Sequence, residues 1–254
     1  MNPTISAVII TRNEADMLPG LLESLHFCDE IVVVDSHSDD ATREIAASFN
    51  ARVIVRDFNG FGDQKEFART QANCEWVLSL DADERIPAML AEEILSTVAA
   101  PAHDAYRIPR LSYFLGKPFK HSGWWPDEPL RLFCRDAAYF NSKKVHEFAE
   151  TDRPTGNLSN HFDHFTVRSL KQALAKGHHY SVLGAEQLKK TNRQVTLLSP
   201  FGHAIGAFIK AYFIKRGFVG GVEGYVNARI QSQTVFWKYM LVYLDRRAER
   251  RQQQ

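Results

Sequence analysis

The sequence predicts an α/β fold, a mostly parallel sheet flanked by helices, with a helical, basic C-terminal extension. Three observations carry this. Short apolar runs alternate with amphipathic stretches through residues 1–100, a spacing that gives a parallel sheet with helices on both faces. Three of those apolar runs end in polar or acidic residues, and open parallel sheets bind ligands just beyond the carboxyl ends of their strands. Beyond residue 165 strand signals give way to helical ones. The expected division is therefore a ligand-binding and catalytic domain over 1–165 and a helical extension over 166–254.

The elements follow in order. Ile5-Ser6-Ala7-Val8-Ile9-Ile10 reads as a buried strand that opens into Thr11-Arg12-Asn13-Glu14. Leu18, Leu21, Leu22 and Leu25 then recur at helical spacing. Glu30-Ile31-Val32-Val33-Val34 is a second strand, ending in Asp35; Ser38 or Asp39 is placed to cap a helix running to Phe49. Arg52 to Val55 is a third strand and Asp63 to Asn73 a third helix. The fourth strand, Trp76-Val77-Leu78-Ser79-Leu80, runs into Asp81-Ala82-Asp83-Glu84, with a helix from Pro87 to Val98 behind it. Residues two apart on a strand point the same way, so Asp81 and Asp83 are expected to present their carboxylates together. Paired carboxylates suit a hard divalent cation that keeps positions open for phosphate oxygens. An Asp-x-Asp alone describes an acidic turn equally well; the buried strand in front and the polar strand ends beside it favour a site.

After Pro101 the alternation stops. Tyr106 to Pro109 and Arg131 to Phe133 read as short strands around a loop, Gly116 to Glu128, dense in aromatic residues, Gly and Pro. Loops of that length usually carry function or cover a site. Helices are expected over Ser169 to Lys190, His203 to Arg216 and Ser232 to Arg250.

Hydrophobic residues at 44% and charged residues at 24% are enough for a proper core. Cys28, Cys74 and Cys134 lack metal-ligand spacing and are expected as reduced thiols. The N-terminus shows no secretory pattern. The longest uncharged run, Gln194 to Ile209, is 16 residues broken by Pro200, Gly202 and Gly206, a poor span for a bilayer. No GxGxxG follows the first strand and no Gly-Lys-Ser/Thr loop occurs, which excludes dinucleotide and P-loop readings. A nucleotidyltransferase would need a basic, glycine-rich phosphate loop near the N-terminus, and none is present.

The motifs Val8-Ile9-Ile10-Thr11-Arg12-Asn13-Glu14, Val33-Val34-Asp35-Ser36-x-Ser38-x-Asp40-x-Thr42 and Leu80-Asp81-Ala82-Asp83-Glu84, in this order, resemble a family 2 glycosyltransferase of the GT-A fold. Gly60 to Ala68, Tyr113-Phe114-Leu115-Gly116, Gly123-Trp124-Trp125-Pro126-Asp127, Leu130 to Phe133 and Val145-His146-Glu147 extend the likeness to the lipopolysaccharide inner-core branch, which includes enzymes adding a β-1,4-glucose to heptose. His37 departs from the pattern, since relatives often have Gly there. The resemblance implies inverting transfer of a hexose from a nucleotide sugar, UDP-glucose the first candidate, with Mg²⁺ or Mn²⁺ as cofactor. It implies Thr11, Arg12, Asn13, Glu14, Asp35, Lys65 and Asp81 for the nucleotide sugar, and Asp81, Asp83 and His146 for the metal.

Single-displacement inversion needs a base on the acceptor hydroxyl. Asp127 and Glu128 are both placed for it, and the resemblance favours Asp127. Trp124 and Trp125, with Glu128, are candidates for holding the acceptor sugar. Arg131 is expected either to neutralise the diphosphate or to pair with Asp127. Lys65 is either a phosphate contact or a solvated helix lysine.

From Lys210 to Arg251 nine Lys/Arg stand against three Asp/Glu. Apolar stripes at Ala204, Ile205, Phe208, Ala211 and Tyr212, and at Phe236, Tyr239, Met240 and Tyr243, suit either packing or an anionic membrane surface. The expected partners are thus a nucleotide sugar, a lipopolysaccharide-core or other lipid-linked acceptor and anionic lipid, not nucleic acid; the expected place is the cytoplasmic face of the inner membrane. A polyprenyl-linked or protein acceptor, or a non-catalytic membrane-surface protein of the same fold, are the alternatives.

Overall fold

A computed structural model describes residues 3–141, 148–191 and 193–252. It begins β1 (Ile5–Thr11), α1 (Leu18–Glu23), β2 (Glu30–Asp35), α2 (Thr42–Ser48), β3 (Arg52–Val55), α3 (Phe61–Thr70), β4 (Trp76–Asp81), β5 (Glu84–Arg85) and α4 (Ala88–Ala99). Short strands follow: β6 (Ala105–Arg107), β7 (Arg110–Phe114), β8 (Lys117–Pro118), β9 (Leu130–Cys134), β10 (Tyr139–Phe140), β11 (Ala149–Glu150), β12 (Gly156–Asn157) and β13 (Phe162–Val167). The chain closes with α5 (Leu170–Lys189), α6 (Ser199–Ile209) and α7 (Gly221–Gln252). Two compact units result: Met1–Leu111 with Asp127–His164, and Ser112–Pro126 with Phe165–Gln254. Residues 112–126 therefore group with the C-terminal helices, whereas the sequence suggested a single cut at 165.

The first unit is built on a seven-stranded sheet ordered β12-β6-β9-β4-β1-β2-β3. β1 pairs in parallel with β2 and β4, and β2 with β3. β9 runs antiparallel to both β4 and β6. The register sets Thr11 opposite Asp35 and Ile10 opposite Asp81, so the carboxyl ends of β1, β2 and β4 are level. Because β9 is reversed, its N-terminal end, just after Asp127, lies at that same edge.

Alternation along the strands feeds two cores. Ile5, Ala7 and Ile9 with Trp76, Leu78 and Leu80 face α1 and α4 (Leu18, Leu21, Leu90, Ile94). Val8, Val32, Val34 and Val77 face α3 and β10 (Ala68, Phe140), with Ala72 just past α3. Trp76 is almost wholly buried, and truncating such a residue to Ala costs about 3–5 kcal/mol. Helix α2 starts later than expected. Ser38 does not cap it, because its hydroxyl is bound to Asp35; Asp40 accepts the Thr42 N–H at 3.0 Å instead.

In the second unit Tyr113 and Phe114 of β7 pair with β8 in a hairpin whose central residues, Leu115 (φ 53°) and Gly116 (φ 82°), are both left-handed, as tight hairpin turns require. Phe114, Phe119, Val167 and Ala173 make one cluster, with Trp124, Val226 and Ile230 against it. Ser169 caps α5, accepting from the Gln172 N–H at 3.2 Å. Ser181 Oγ donates to Thr234 O at 3.1 Å and ties α5 to α7. The sequence placed the last two helices at 203–216 and 232–250. In the structure α6 begins at Ser199 with Pro200 in its first turn and continues into a π-helical turn, Lys210–Ile214, and a 3₁₀ turn, Gly217–Gly220. α7 begins at Gly221, ahead of its expected start. Gly221 and Gly224 are weak helix formers, which hid that start. Gly224 is needed for packing: a Cβ there would lie 1.8 Å from Gly217 O.

Candidate active site

The ends of β1, β2 and β4, with Arg110, Asp127, Glu128, Arg131 and His164, all lie in the first unit. At the ends of β1 and β2, Asp35 is fully buried. Thr11 Oγ1 donates to its Oδ2 at 2.9 Å, Ser38 Oγ to the same oxygen at 2.5 Å, and the Ser38 N–H to Oδ1 at 2.8 Å. Arg43 Nε stands 4.0 Å from Oδ1. A carboxylate offers about four acceptor positions, so one remains, on Oδ1. Asn13 joins the two loops: its N–H donates to Ser38 Oγ at 2.8 Å, and its Oδ1 accepts the Asp39 N–H at 3.0 Å. The Glu14 N–H donates to Thr42 Oγ1 at 2.8 Å. Arg12 and Asn13 are exposed. His37 has φ 55°, a conformation that costs glycine nothing, which accounts for a position where Gly would also serve. Its ring stays outside the Asp35 network, 2.7 Å from exposed Asp57.

The end of β4 holds a charge cluster. Asp81 Oδ1 is 2.7 Å from Lys65 Nζ and Oδ2 is 2.9 Å from Arg131 Nη2. Arg131 Nη2 also reaches Glu84 Oε1 at 2.6 Å, and its Nη1 donates to Ser79 O at 3.2 Å. Glu84 accepts the Asp81 N–H at 2.9 Å. Glu84, Arg131 and Lys65 are buried; Asp81 is partly open. Burial pushes the Asp81 carboxyl up, but the charges of Lys65 and Arg131 more than offset it and hold it well below the usual range. Burial raises the Glu84 carboxyl, with Arg131 opposing and Asp81 reinforcing. The Arg131 guanidinium, despite burial, is held charged by Glu84 and Asp81.

Two expectations change here. The strand ends at Asp81 and a turn begins, so the period-two rule stops short of Asp83, whose charge still acts on Arg131. Asp83 Oδ2 lies 3.4 Å from His164 Nε2, which β13 brings opposite Glu84 of β5. Arg131 does not pair with Asp127. Set in β9 against β4, it reaches Asp81 and Glu84, while Asp127 is gripped by Arg110, whose Nε and Nη2 donate to Oδ2 at 2.8 and 2.5 Å. The Arg110 N–H donates to Asp127 O at 2.8 Å, extending the β6–β9 ladder and fixing that backbone. Glu128 is exposed, and its carbonyl accepts from Arg107 Nη1 at 3.2 Å.

Trp124 and Trp125 belong to the second unit. Trp124 meets Phe114 and Phe119 edge-on at 5.7 and 5.2 Å. Lys120 Nζ stands 4.9 Å over the Trp125 ring. His146 lies outside the described residues.

Thus the structure joins Thr11 to Asp35, and Lys65 to Asp81 and Arg131. Glu84 and Arg110 were missed as functional candidates. The Glu84 signal was its place directly after the Asp-x-Asp; Arg110 is distant in sequence from the residue it touches and gave none.

Residues 6–175 match the family described as Glycosyl transferase family 2. A Rickettsia bellii protein named "Uncharacterized glycosyltransferase" is 32% identical over 246 residues, 89% of this chain and 81% of its own. "Lipopolysaccharide core biosynthesis glycosyltransferase LpsC" of Rhizobium meliloti is 28% identical over 247 residues, 94% of this chain and 92% of its own. Among solved structures, S. aureus TarS superposes with a TM-score of 0.50 at 16% identity, over 89% of this chain and 55% of TarS, a likeness of fold. A sheet with level acidic strand ends, matched across most of its length to these proteins, is a GT-A fold, and the chain belongs to glycosyl transferase family 2 as a glycosyltransferase.

Proposed function

We propose that the protein transfers a hexose, glucose from UDP-glucose, to a heptose of the lipopolysaccharide inner core, with inversion at the transferred carbon and with Mg²⁺ or Mn²⁺ bound. The observation that carries the reaction class is the cluster of Lys65, Asp81, Arg131 and Glu84, level with Asp35 at the carboxyl edge of the sheet. The likeness to LpsC along nearly the whole chain supports the acceptor.

Among the described residues no three His, Cys, Asp or Glu side chains converge as a closed metal site. Mg²⁺ does not need one, since it is usually bound by one or two carboxylates together with substrate phosphates. Asp83 with His164, a carboxylate oxygen and an imidazole nitrogen 3.4 Å apart, fits that use. Asp81 has each oxygen in an ion pair and is better read as a positioning residue. A cation held by Asp83 would offset the charge of the leaving diphosphate.

The protein's own groups do the rest. The loop from Thr11 to Glu14, held in place by buried Asp35 and Ser38, borders the nucleoside. Lys65 brings a positive charge to the diphosphate end. Arg131 is buried beneath Asp81 and holds it in place rather than touching substrate. Asp127 takes the proton of the acceptor hydroxyl as that oxygen bonds to the anomeric carbon and the bond to the diphosphate breaks. Both Arg110 bonds end on Oδ2, so Oδ1 is the oxygen that receives the proton. Glu128, exposed and next to Asp127, would contact the acceptor. Mixing the enzyme, UDP-glucose, Mg²⁺ and a lipopolysaccharide truncated at heptose should yield, by mass spectrometry, an acceptor heavier by one hexose. Transfer from a different nucleotide sugar alone would move the donor assignment, and absence of transfer to any heptose-terminated acceptor would sink the acceptor reading.

A further inference from the structure

The second unit exposes an apolar face that packing does not use. Along α6 and the turn after it, Phe201, Ile205, Ile209 and Phe213 recur every four residues and are all exposed, with Leu198 (76% exposed) before them and Ile214 (72%) after. Gly202 and Gly206, interleaved with them, have open space where a Cβ would stand. The inward face of the same helix is separate: Ala204 and Ala211 are buried, and Ser232 Oγ of α7 donates to Ala204 O at 2.9 Å. The stripes read from the sequence thus divide, with Ala204, Ala211 and Tyr239 in packing and Ile205 turned to solvent.

Charge says what such a face would meet. No Asp or Glu occurs from residue 187 to 222, while Lys190, Arg193, Lys210, Lys215 and Arg216 there are exposed. An exposed apolar patch on a segment whose charges are all positive is complementary to anionic lipid: the aliphatic and aromatic side chains enter the acyl boundary and the cations stay among the headgroups. No helix among the described residues is long and apolar enough to cross a bilayer, so the geometry is that of an element lying in the interface. Of the C-terminal arginines, Arg246 is less available, since it is spent on the carbonyls of Arg193 and Thr191, at 2.6 and 3.2 Å.

We propose that the outward face of residues 198–216 inserts into the interface of an anionic phospholipid bilayer. The purpose given to it, bringing the enzyme to a membrane-embedded acceptor, rests on the lipopolysaccharide reading above.

The test is co-sedimentation with vesicles of phosphatidylcholine, with and without about a third phosphatidylglycerol. The wild-type protein should sediment with the anionic vesicles and release with added salt. Ile205→Ser/Ile209→Ser/Ile214→Ser changes exposed positions, so the melting curve should be kept while binding falls at least tenfold. Lys210→Gln/Lys215→Gln/Arg216→Gln should weaken binding and flatten its salt dependence. Met89→Ser/Leu95→Ser, exposed on α4, should change nothing. Wild-type protein left in the supernatant, or equal sedimentation of the triple Ser variant, overturns the proposal. So does a wild-type dimer in lipid-free solution that the triple Ser variant reduces to monomer without altering vesicle binding, since the face would then seat a second copy. Stabilisation by UDP-glucose, measured on the same samples, separates the two ideas: vesicle binding lost with donor stabilisation kept concerns this face, and the reverse concerns the catalytic reading.

Discussion

Arg131→Met removes one charge from the centre of the strand-end cluster while keeping most of the volume. In the wild type the guanidinium serves two carboxylates, Asp81 at 2.9 Å and Glu84 at 2.6 Å, from a side chain only 6% exposed. Removing one partner of a buried pair leaves uncompensated charge and costs about 3–5 kcal/mol. At roughly 2–4 °C per kcal/mol for a chain of this size, the melting temperature should fall by about 6–20 °C.

The pH dependence gives the sign. Burial already raises Glu84, and Arg131 is the largest influence lowering it. Without Arg131 the folded-state value rises further above its unfolded value of about 4.3. A group raised in the folded state contributes stability that is fully present below the unfolded value and lost as pH rises through the folded one. The deficit of Arg131→Met relative to wild type should therefore be larger at pH 8 than at pH 5. Adding Glu84→Gln should recover part of it, because the neighbours are coupled. Chemical denaturation at the two pH values, followed by circular dichroism, measures all of this. A deficit below about 1 kcal/mol, the scale of an exposed pair, or one independent of pH, would refute the reasoning.

Asp127→Asn keeps size but cannot accept a proton, so kcat should fall on the order of 10²–10⁴-fold with donor affinity near wild type; Glu128→Gln should be mild, and the opposite outcome would move the base one position. Ser38→Ala deprives buried Asp35 of one hydrogen bond and the Asn13 N–H of its acceptor. It should cost about 1–3 kcal/mol in a thermal melt and also weaken donor binding; an unchanged melt would show that the loop does not depend on that bridge.

The first half of the fold was legible because its strands are runs of Val, Ile and Leu bounded by polar loops, and each core-facing position was set by alternation. Asp35 and Asp81 were legible as strand-end acids for the same reason. Their partners were less so. Arg131 meets Ser79, Asp81 and Glu84 only because β9 turns antiparallel beside β4, and no local pattern announces which strand a short segment will join. Lys65 shows the same limit: on α3 it reads as an ordinary helix lysine until the helix is laid on the sheet, where it is buried against Asp81. The start of α7 was obscured by glycines that serve backbone contact rather than helix formation. Asp83 lies two residues past the end of β4, in the turn, so the strand rule does not reach it.

The most direct measurement is isothermal titration of UDP-glucose into wild type and Asp83→Asn, each with Mg²⁺ or Mn²⁺ and again with chelator. Wild type should bind the donor markedly more tightly with cation than without. Asp83→Asn should lose that difference while its affinity in chelator stays close to wild type, because the lost charge belongs to the cation's shell. Equal cation dependence in the two proteins would remove Asp83 from the metal site. No binding of UDP-glucose under any of these conditions would contradict the donor assignment itself.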